Sequence, residues 1–410
     1  MPVFSIPLSG LTASSTALSA IANNLANLNT VGYKQTRATF RDLFYQTVGS
    51  TGAGDPLQVG AGAAVGSMDT NFTGGNIETS GVPTDVAITD DGFFVVQKNG
   101  AYEYTRAGNF SVDNDGWLVT EDGYQVMGYP SVNGAIDTTA GLAPLQLGKG
   151  QINPPTATSY LQMTANLDAG ASVGDNYSTS VTVYDSLGAT HVLTYKFDKT
   201  DANTWNYSVT LPGADTGAAT PNILKTGTLT FDGNGQLTAP AADVTGIAIS
   251  GLSNGAADMS LDWHLYGDNG NAMLTQMAAP SDAASSYQDG FASGSLLDFS
   301  IAPDGTIAGS FTNGIKTLGQ IALANFQNVQ GLQRLGRNGF GATLASGQAA
   351  IGTPGNGGRG TLSGGALELS NVDIATEFAR LITAERAFQA NARTITTFDE
   401  ITQETINLKR

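Results

Sequence analysis

The sequence predicts a multidomain α+β protein in which paired long N- and C-terminal helices, read as a coiled coil, carry discontinuous antiparallel β-domains. Apolar residues recur at heptad spacing near both ends of the 410-residue chain. Between the ends, alternating apolar residues are punctuated by Asn-Gly and Asp-Gly turns. The composition agrees. Its 52 glycines and 13% charged residues suit turns and strands, and 41% hydrophobic residues are too many for a disordered chain. A chain of this length holds roughly two to four domains.

The N-terminal helix is read from Leu11, Leu18, Ile21, Leu25 and Leu28, with Ser14 filling the gap. The steps are three and four residues, which makes a seam that faces a partner helix. Asn29-Thr30-Val31-Gly32 ends the helix, with Gly32 suited to a left-handed cap. From Leu11 to Leu28 the rod is about 26 Å long. At the other end, Ser370 followed by Asp373 has the form of a capping box. Ile374, Phe378, Leu381, Phe388, Ala392, Ile395, Phe398, Ile401 and Leu408 then recur at helical spacing. That helix extends from Val372 to Leu408, roughly 54 Å. Neither amphipathic helix is stable alone in water. Each can cover the other, and the surplus stripe of the longer one packs on a β-domain of the same chain or on other subunits.

The interior reads as strands. Phe93-Phe94-Val95-Val96, Asn99-Gly100 and Tyr102-Glu103-Tyr104 form a hairpin, and Asn109–Val112, Asn114-Asp115-Gly116 and Trp117–Val119 form a second. Pro154-Pro155 marks a boundary. Beyond it, Val181 and Val183 lead into a turn at Asp185-Ser186-Leu187-Gly188. Leu193, Tyr195 and Phe197 follow, then Trp205, Tyr207, Val209 and Leu211. Leu229 and Phe231 precede the turn Asp232-Gly233-Asn234-Gly235, and Met259, Leu261, Trp263 and Leu265 share a face opposite Asp262 and His264. Strand signals at 297–300 and 321–324 belong with the earlier β block. The expected division is a helical domain at 1–30 plus 370–410 and an extended Gly-rich linker at 31–70 plus 347–369. A first, discontinuous β-domain takes 71–155 plus 287–346, and an inserted, outer β-domain takes 156–286.

Several function classes are excluded. Lys and Arg number 18 against 35 Asp and Glu, a net charge of −17, and nucleic acid needs a basic surface. No run reaches the roughly 18 apolar residues of a membrane span, so no membrane insertion is expected. The first basic residue is Lys34, so the basic start of a cleavable signal peptide is missing. Cysteine is absent and the only histidines are His191 and His264. Disulfides, thiolate zinc sites, Cys nucleophiles and multi-His metal centres are therefore excluded, and no metal or other cofactor is expected.

Motifs that match catalytic patterns in letters fail in context. G-x-S-x-G occurs around Ser172 and Ser253, but neither is followed by the helix and the downstream acid and His of a nucleophile elbow. Gly355-x-Gly357-x-x-Gly360 lies beside Pro354 and more glycine, without the strand and helix of a dinucleotide site. Ser111, Asp113, Asp115, Gly116 and Asp122 fall near calcium-loop spacing, yet the first Asp and the last Glu are missing, which leaves a polar hairpin turn. The carboxylate pairs Asp90-Asp91, Asp113-Asp115 and Glu121-Asp122 sit in turns, where Asp bonds its own backbone. A glycoside hydrolase needs two such groups across a cleft.

Residues 22–34 read Ala-Asn-Asn-Leu-Ala-Asn-Leu-Asn-Thr-Val-Gly-Tyr-Lys. With Asn23, Asn24, Asn27, Thr30, Gly32 and Tyr33 in place, this resembles the N-terminal signature of the bacterial flagellar rod and hook axial-protein family. Ser370-Asn371-Val372-Asp373 and the run Arg386-Ala387-Phe388-Gln389-Ala390-Asn391-Ala392-Arg393 resemble that family's C-terminal helix. Asp85–Ile88, Gly92-Phe93-Phe94 and Tyr104–Gly108 resemble its first β-domain. The resemblance covers about 1–130 and 321–410, and is looser between. Rod members share these pieces but are shorter. Val183-Tyr184-Asp185-Ser186-Leu187-Gly188-Ala189-Thr190-His191 resembles a piece of the extra domain of hook members. The one departure is Ile374-Ala375-Thr376, where Leu-Ala and an acidic residue are common.

The resemblance implies a structural, non-enzymatic subunit of the extracellular flagellar hook. The hook is a curved tubular polymer that transmits motor torque from rod to filament as a universal joint. It implies terminal helices that are disordered in the monomer and form a coiled-coil inner tube on assembly. The polymer interface would hold Leu11, Leu18, Ile21, Leu25, Leu28, Phe378, Leu381, Phe388, Ile395 and Phe398. Implied partners are further copies of the chain, flagellar rod proteins, the hook cap, hook–filament junction proteins and the type III export apparatus, with export that cleaves no signal. The competing readings are a distal rod protein and, in a different class, a secreted β-rich carbohydrate-active enzyme.

Overall fold

The computed structural model describes residues 5–52, 54–132, 134–147, 152–267 and 269–408; residues 1–4 and 409–410 of the expected helical domain lie outside them. The chain is mostly β, with three α-helices among the described residues: α1 (Ser5–Ala26), the short α2 (Gly213–Thr216) and α3 (Ile374–Asn407). It divides into two compact units. One comprises Met1–Lys149, Asp298–Gly309 and Lys316–Arg410; the other comprises Gly150–Leu297 and Ser310–Ile315. The helical and first β segments, expected as separate domains, thus share one unit. The inserted unit is longer at both ends than 156–286.

In the first unit α1 and α3 run antiparallel, because Gly10 lies against Asn391 while Asn24 bonds Glu377. Asp373, not Ser370, caps α3: its carboxylate accepts the Thr376 N–H at 2.6 Å. The Thr376 hydroxyl and N–H together hold the Asp373 carboxyl below the usual carboxylate range. The helix accordingly starts at Ile374, two residues after the expected Val372. Leu28 lies just past the end of α1, and Gly32 has the left-handed φ of 67° expected of it.

The β-body of this unit is built on the strand Phe93–Lys98. It pairs with Ala101–Thr105 through Asn99-Gly100, both at positive φ, and on its other edge with Gln125–Val132. Phe94 and Val96 enter a core with Val86, Phe110, Leu118 and Val126. Phe93 and Val95 enter a second core with Tyr104, Phe326 and Phe340. Both faces of the strand are buried, which is why its sequence is a continuous apolar run rather than an alternating one.

The expected linkers are strands instead. Thr36–Asp42 pairs with Ala63–Thr70, and Tyr45–Ser50 with Pro56–Gly60, giving a long two-stranded arm. Ala350–Gly352, Thr361–Gly364 and Ala366–Glu368 pair with Leu323–Asn325, Val86–Thr89 and Ile77–Thr79. The small residues here allow close approach rather than slack. A Cβ on Gly360 would stand 1.8 Å from the Thr89 carbonyl oxygen.

The inserted unit packs two five-stranded sheets on one core. The first sheet (Asn176–Tyr184, Thr190–Asp201, Thr204–Leu211, Asn222–Phe231, Leu237–Ala239) is antiparallel throughout. The second departs from the all-antiparallel expectation: Tyr160–Asp168 runs parallel to both Met259–His264 and Leu274–Met277. Side-chain alternation defines a buried face but carries no strand direction, so the sequence could not reveal this. Trp263 is fully buried at the centre, with Tyr195 and Tyr207 edge-on at 4.9 and 5.3 Å.

Candidate assembly interface

The family-signature residues converge where the two terminal segments meet the β-body of the first unit. Asn24 is buried and uses its whole amide. Its Nδ2 donates to the Thr36 carbonyl (2.8 Å) and to Glu377 Oε2 (3.1 Å), while its Oδ1 accepts from the Thr36 N–H (2.9 Å) and the Tyr33 hydroxyl (3.2 Å). Asn23 Nδ2 donates to the same hydroxyl, and Asn27 Oδ1 accepts from Thr30 Oγ1. Asn371 Oδ1 accepts the Gln35 N–H at 2.8 Å, and its Nδ2 donates to the Asn71 and Thr73 carbonyls. Asn24 and Asn371 therefore bridge segments about 300 residues or more apart, while Asn23 and Asn27 brace the exit of α1 locally, each Asn offering a donor and an acceptor on one short side chain.

Under these bridges lies an ionic hub that sequence reasoning missed. Glu368 receives Lys34 Nζ at 2.6 Å on one oxygen and Arg106 Nη1 at 3.4 Å on the other. Exposures of 1% for Lys34 and Glu368 and 2% for Arg106 put all three out of water. Lys34 also donates to the Thr73 carbonyl, and the Gly75 N–H donates to Glu368 Oε1. Burial, then the neighbouring Arg106 guanidinium, push the Lys34 pKa below its usual value, while Glu368 pulls it back up. A second buried acid, Glu377, is held by Asn24, Gln35 and Arg380. The available signal was weak: Lys34 and Arg106 stand out only as two of 18 basic residues in an acidic chain.

Gly32 closes this junction. Its N–H donates to the Glu368 carbonyl at 2.8 Å. A Cβ there would stand 2.6 Å from the Arg106 carbonyl carbon and the Ala107 nitrogen, at a φ that L side chains rarely adopt. Gly32→Ala is expected to destabilise the first unit by about 2–3 kcal/mol. Urea denaturation of the purified protein measures this, and an unchanged midpoint would contradict it.

The helix seam differs from the expected leucine seam. A groove of about 1010 Å³ between α1, α3 and the strand Thr36–Asp42 is lined on α1 by Gly10, Ala13, Ser14, Ala17, Ala20 and Ile21. On α3 it is lined by Glu377, Arg380, Ala384, Ala387 and Asn391, among others. Small residues let the helices approach closely; a Cβ on Gly10 would meet Asn391 Oδ1 at 2.8 Å. Of the expected α1 seam only Ile21 is buried; Leu11, Leu18, Leu25 and Leu28 are half-buried. On α3, Leu381, Phe388, Ile395 and Phe398 are half-buried in phase with Glu377, Ala384 and Asn391, whereas Phe378 is 50% exposed. Arg386, Gln389 and Arg393 are exposed along α3 and do not join the junction. Ile374, Phe378, Ile382, Ile401 and Ile406 leave large apolar surface on α3 uncovered.

Other sequence-flagged motifs have plain structural roles. Asp113 Oδ1 accepts the Asp115 and Trp117 N–H groups and so shapes its hairpin turn. Ser172 and Ser253 sit in turns, where their N–H groups donate to Asp175 and to the Asp215 carbonyl. A cleft of about 510 Å³ does gather Glu103, Glu121 and Asp122. Glu121 and Asp122 are exposed, and Arg337 Nε lies 3.8 Å from Asp122. Glu103 is half-buried, so none of the three is a fully buried carboxyl of the kind a glycosidase uses as its acid. No described helix is long and apolar enough to cross a membrane.

Comparison with known proteins places these features in one family. The family model for the flagella basal body rod protein matches residues 6–34, and that for the flagellar hook protein FlgE/F/G D1 domain matches 87–167. The flagellar basal body protein FlaE D2 domain matches 151–291, and the flagellar basal body rod FlgEFG protein C-terminal model matches 363–408. The flagellar hook protein FlgE of Escherichia coli is 36% identical over 423 residues, covering 99% of this chain and 100% of its own length. That of Treponema pallidum is 34% identical over 455 residues, covering 98% of each. The crystal structure of Helicobacter pylori flagellar hook protein FlgE2 aligns at a TM-score of 0.48 and 16% identity, over 70% of this chain and 98% of that one. With such identities sustained over nearly the whole of both chains, this chain belongs to the flagellar hook protein family.

Proposed function

We propose that this chain is the structural subunit of a bacterial flagellar hook, a self-assembling, non-enzymatic protein whose curved tubular polymer joins rod to filament and transmits torque as a universal joint. The observation that carries this reading is the near-full-length likeness to hook proteins, domain for domain. The uncovered apolar residues of α3 support it. A stripe holding Ile374, Phe378 and Ile382, each about half exposed, is costly in water at ~25 cal/mol per Å², and neighbouring copies of the helix would cover it as a coiled-coil inner tube. Leu11, Leu18 and Leu25 recur every seventh residue beside the α1–α3 groove and would serve the same polymer seam. Export by the type III apparatus without signal cleavage, and contact with rod, cap and junction proteins, follow from the same reading.

Electron microscopy of flagellar structures from cells lacking this gene tests the proposal. Basal bodies that end at a complete rod, with neither hook nor filament, are the expected result. Loss of the rod itself would make this a distal rod protein, and normal hooks on swimming cells would refute the flagellar role.

A further inference from the structure

In the inserted unit, His191 is buried at 5% exposure between two carboxylates. Its Nε2 lies 3.0 Å from Asp185 Oδ2 and its Nδ1 lies 3.1 Å from Asp215 Oδ2. The first contact is a hydrogen bond; the second is close but lacks hydrogen-bond alignment. Four chain segments meet here. Asp185 opens the 185–188 turn, and its Oδ1 accepts the Leu187 and Ala189 N–H groups, both at 2.9 Å. His191 lies on the strand Thr190–Asp201, and Asp215 lies on α2. The 251–257 loop contributes Asn254, whose Nδ2 donates to Asp185 Oδ2, and Ala257, whose N–H donates to Ser186 Oγ. The Ser253 N–H ties that loop to the Asp215 carbonyl. The turn itself rests where the chain enters and leaves the unit: a Cβ on Gly188 would stand 2.9 Å from Pro155 Cβ and 3.2 Å from the Ser293 nitrogen.

The chemistry selects one protonation state. A neutral imidazole has a single N–H, so it can serve only one carboxylate and turns a lone pair on the other. An imidazolium offers a proton to both. The charged groups facing the ring are Asp185 and Asp215. The neighbouring strand Asn176–Tyr184 places Val183 opposite His191, and the 251–257 loop presents neutral side chains, with Asp258 just beyond it bonded to the Gly251 N–H. We propose that His191 is a proton-operated latch: as the imidazolium it ties Asp215 of α2 to Asp185 of the 185–188 turn, and on losing its proton it releases α2, while Asn254 and Ala257 keep the 251–257 loop on the turn through bonds of their own.

Burial opposes the charged ring, but the Asp185 hydrogen bond and the charges of Asp215 and Asp185 outweigh it and raise the His191 pKa. For Asp185 burial likewise favours protonation, yet Asn254, His191 and two backbone N–H groups hold its pKa at about 2. A histidine pKa raised by folding gives stability that is complete below about 6.5 and disappears as pH climbs through the folded value.

Proton NMR of the full-length chain, which has two histidines, reads the His191 titration directly. Hydrogen exchange corrected for intrinsic rates reads the latch. The expected result is a His191 pKa above the roughly 6.5 of a free imidazole, with protection of 213–217 and of the Ser253 N–H falling at least tenfold as pH rises through it, while Thr204–Leu211 stays protected. Asp215→Asn should lower the His191 pKa and flatten the pH dependence of that protection, and His191→Gln should leave α2 open at every pH. A His191 that titrates at or below about 6.5, or protection that ignores pH in the unmodified chain, would overturn the latch.

Discussion

Glu368→Ala should detach the terminal helices from the β-body of the first unit and leave the inserted unit folded. Glu368 is the carboxylate shared by Lys34 and Arg106, and all three side chains are out of water. Removing it strands two buried cations, which typically costs about 3–5 kcal/mol. It also strips the Gly75 N–H of its acceptor. Restoring a residue of the same shape does not repair the hub, because Glu368→Gln keeps one acceptor oxygen but none of the charge. Hydrogen exchange on the purified protein separates the consequences: exchange in α1 and 30–36 should accelerate while strands such as Thr190–Asp201 hold. A Glu368→Ala protein with undiminished protection in α1 would show that the hub does not support the junction.

Leu25→Asp is expected to abolish polymer formation without unfolding the chain. Leu25 is half-buried on α1, while Ala13, Ala17, Ala20 and Ile21 line the groove toward α3. A carboxylate at 25 can therefore stay hydrated in the single chain. In a polymer that covers this face the same carboxylate loses its water with no partner, a desolvation cost of several kcal/mol per subunit. Sedimentation and negative-stain microscopy measure the polymer, and circular dichroism verifies the fold. Tubes formed by the Asp variant would place the seam on another face of α1.

The strands were legible where large side chains alternate or where a turn demands special residues. Phe93–Lys98 with Asn99-Gly100, and Trp205 to Leu211, fall where periodicity puts them. The helices were legible in position but not in register. Leucine dominated the reading of α1, yet the face toward α3 is Gly10, Ala13, Ala17 and Ala20, whose smallness brings the helices close. The arm from Thr36 to Thr70 escaped notice because its apolar residues are sparse among glycine and small polar residues. The hub was invisible for a different reason. Glu368 lies 334 positions from Lys34 and 262 from Arg106, and nothing local to any of them announces an ion pair. The histidine latch was half legible: Asp185 and His191 share one turn and strand, but Asp215 and Asn254 arrive from elsewhere.

The pairing of α1 with α3 also sets an order of events. α1, which is synthesised before α3, packs on a helix that begins only at residue 374. Until that last segment arrives, the small-residue face of α1 has no helix to meet, and a 22-residue helix of this composition is marginal by itself. Closure over so long a stretch of chain is intrinsically slow and late. A chain cut short between residues 316 and 373 keeps its inserted unit but leaves α1 without its partner helix, so α1 and α3 pair only after the β-strands between them have been made.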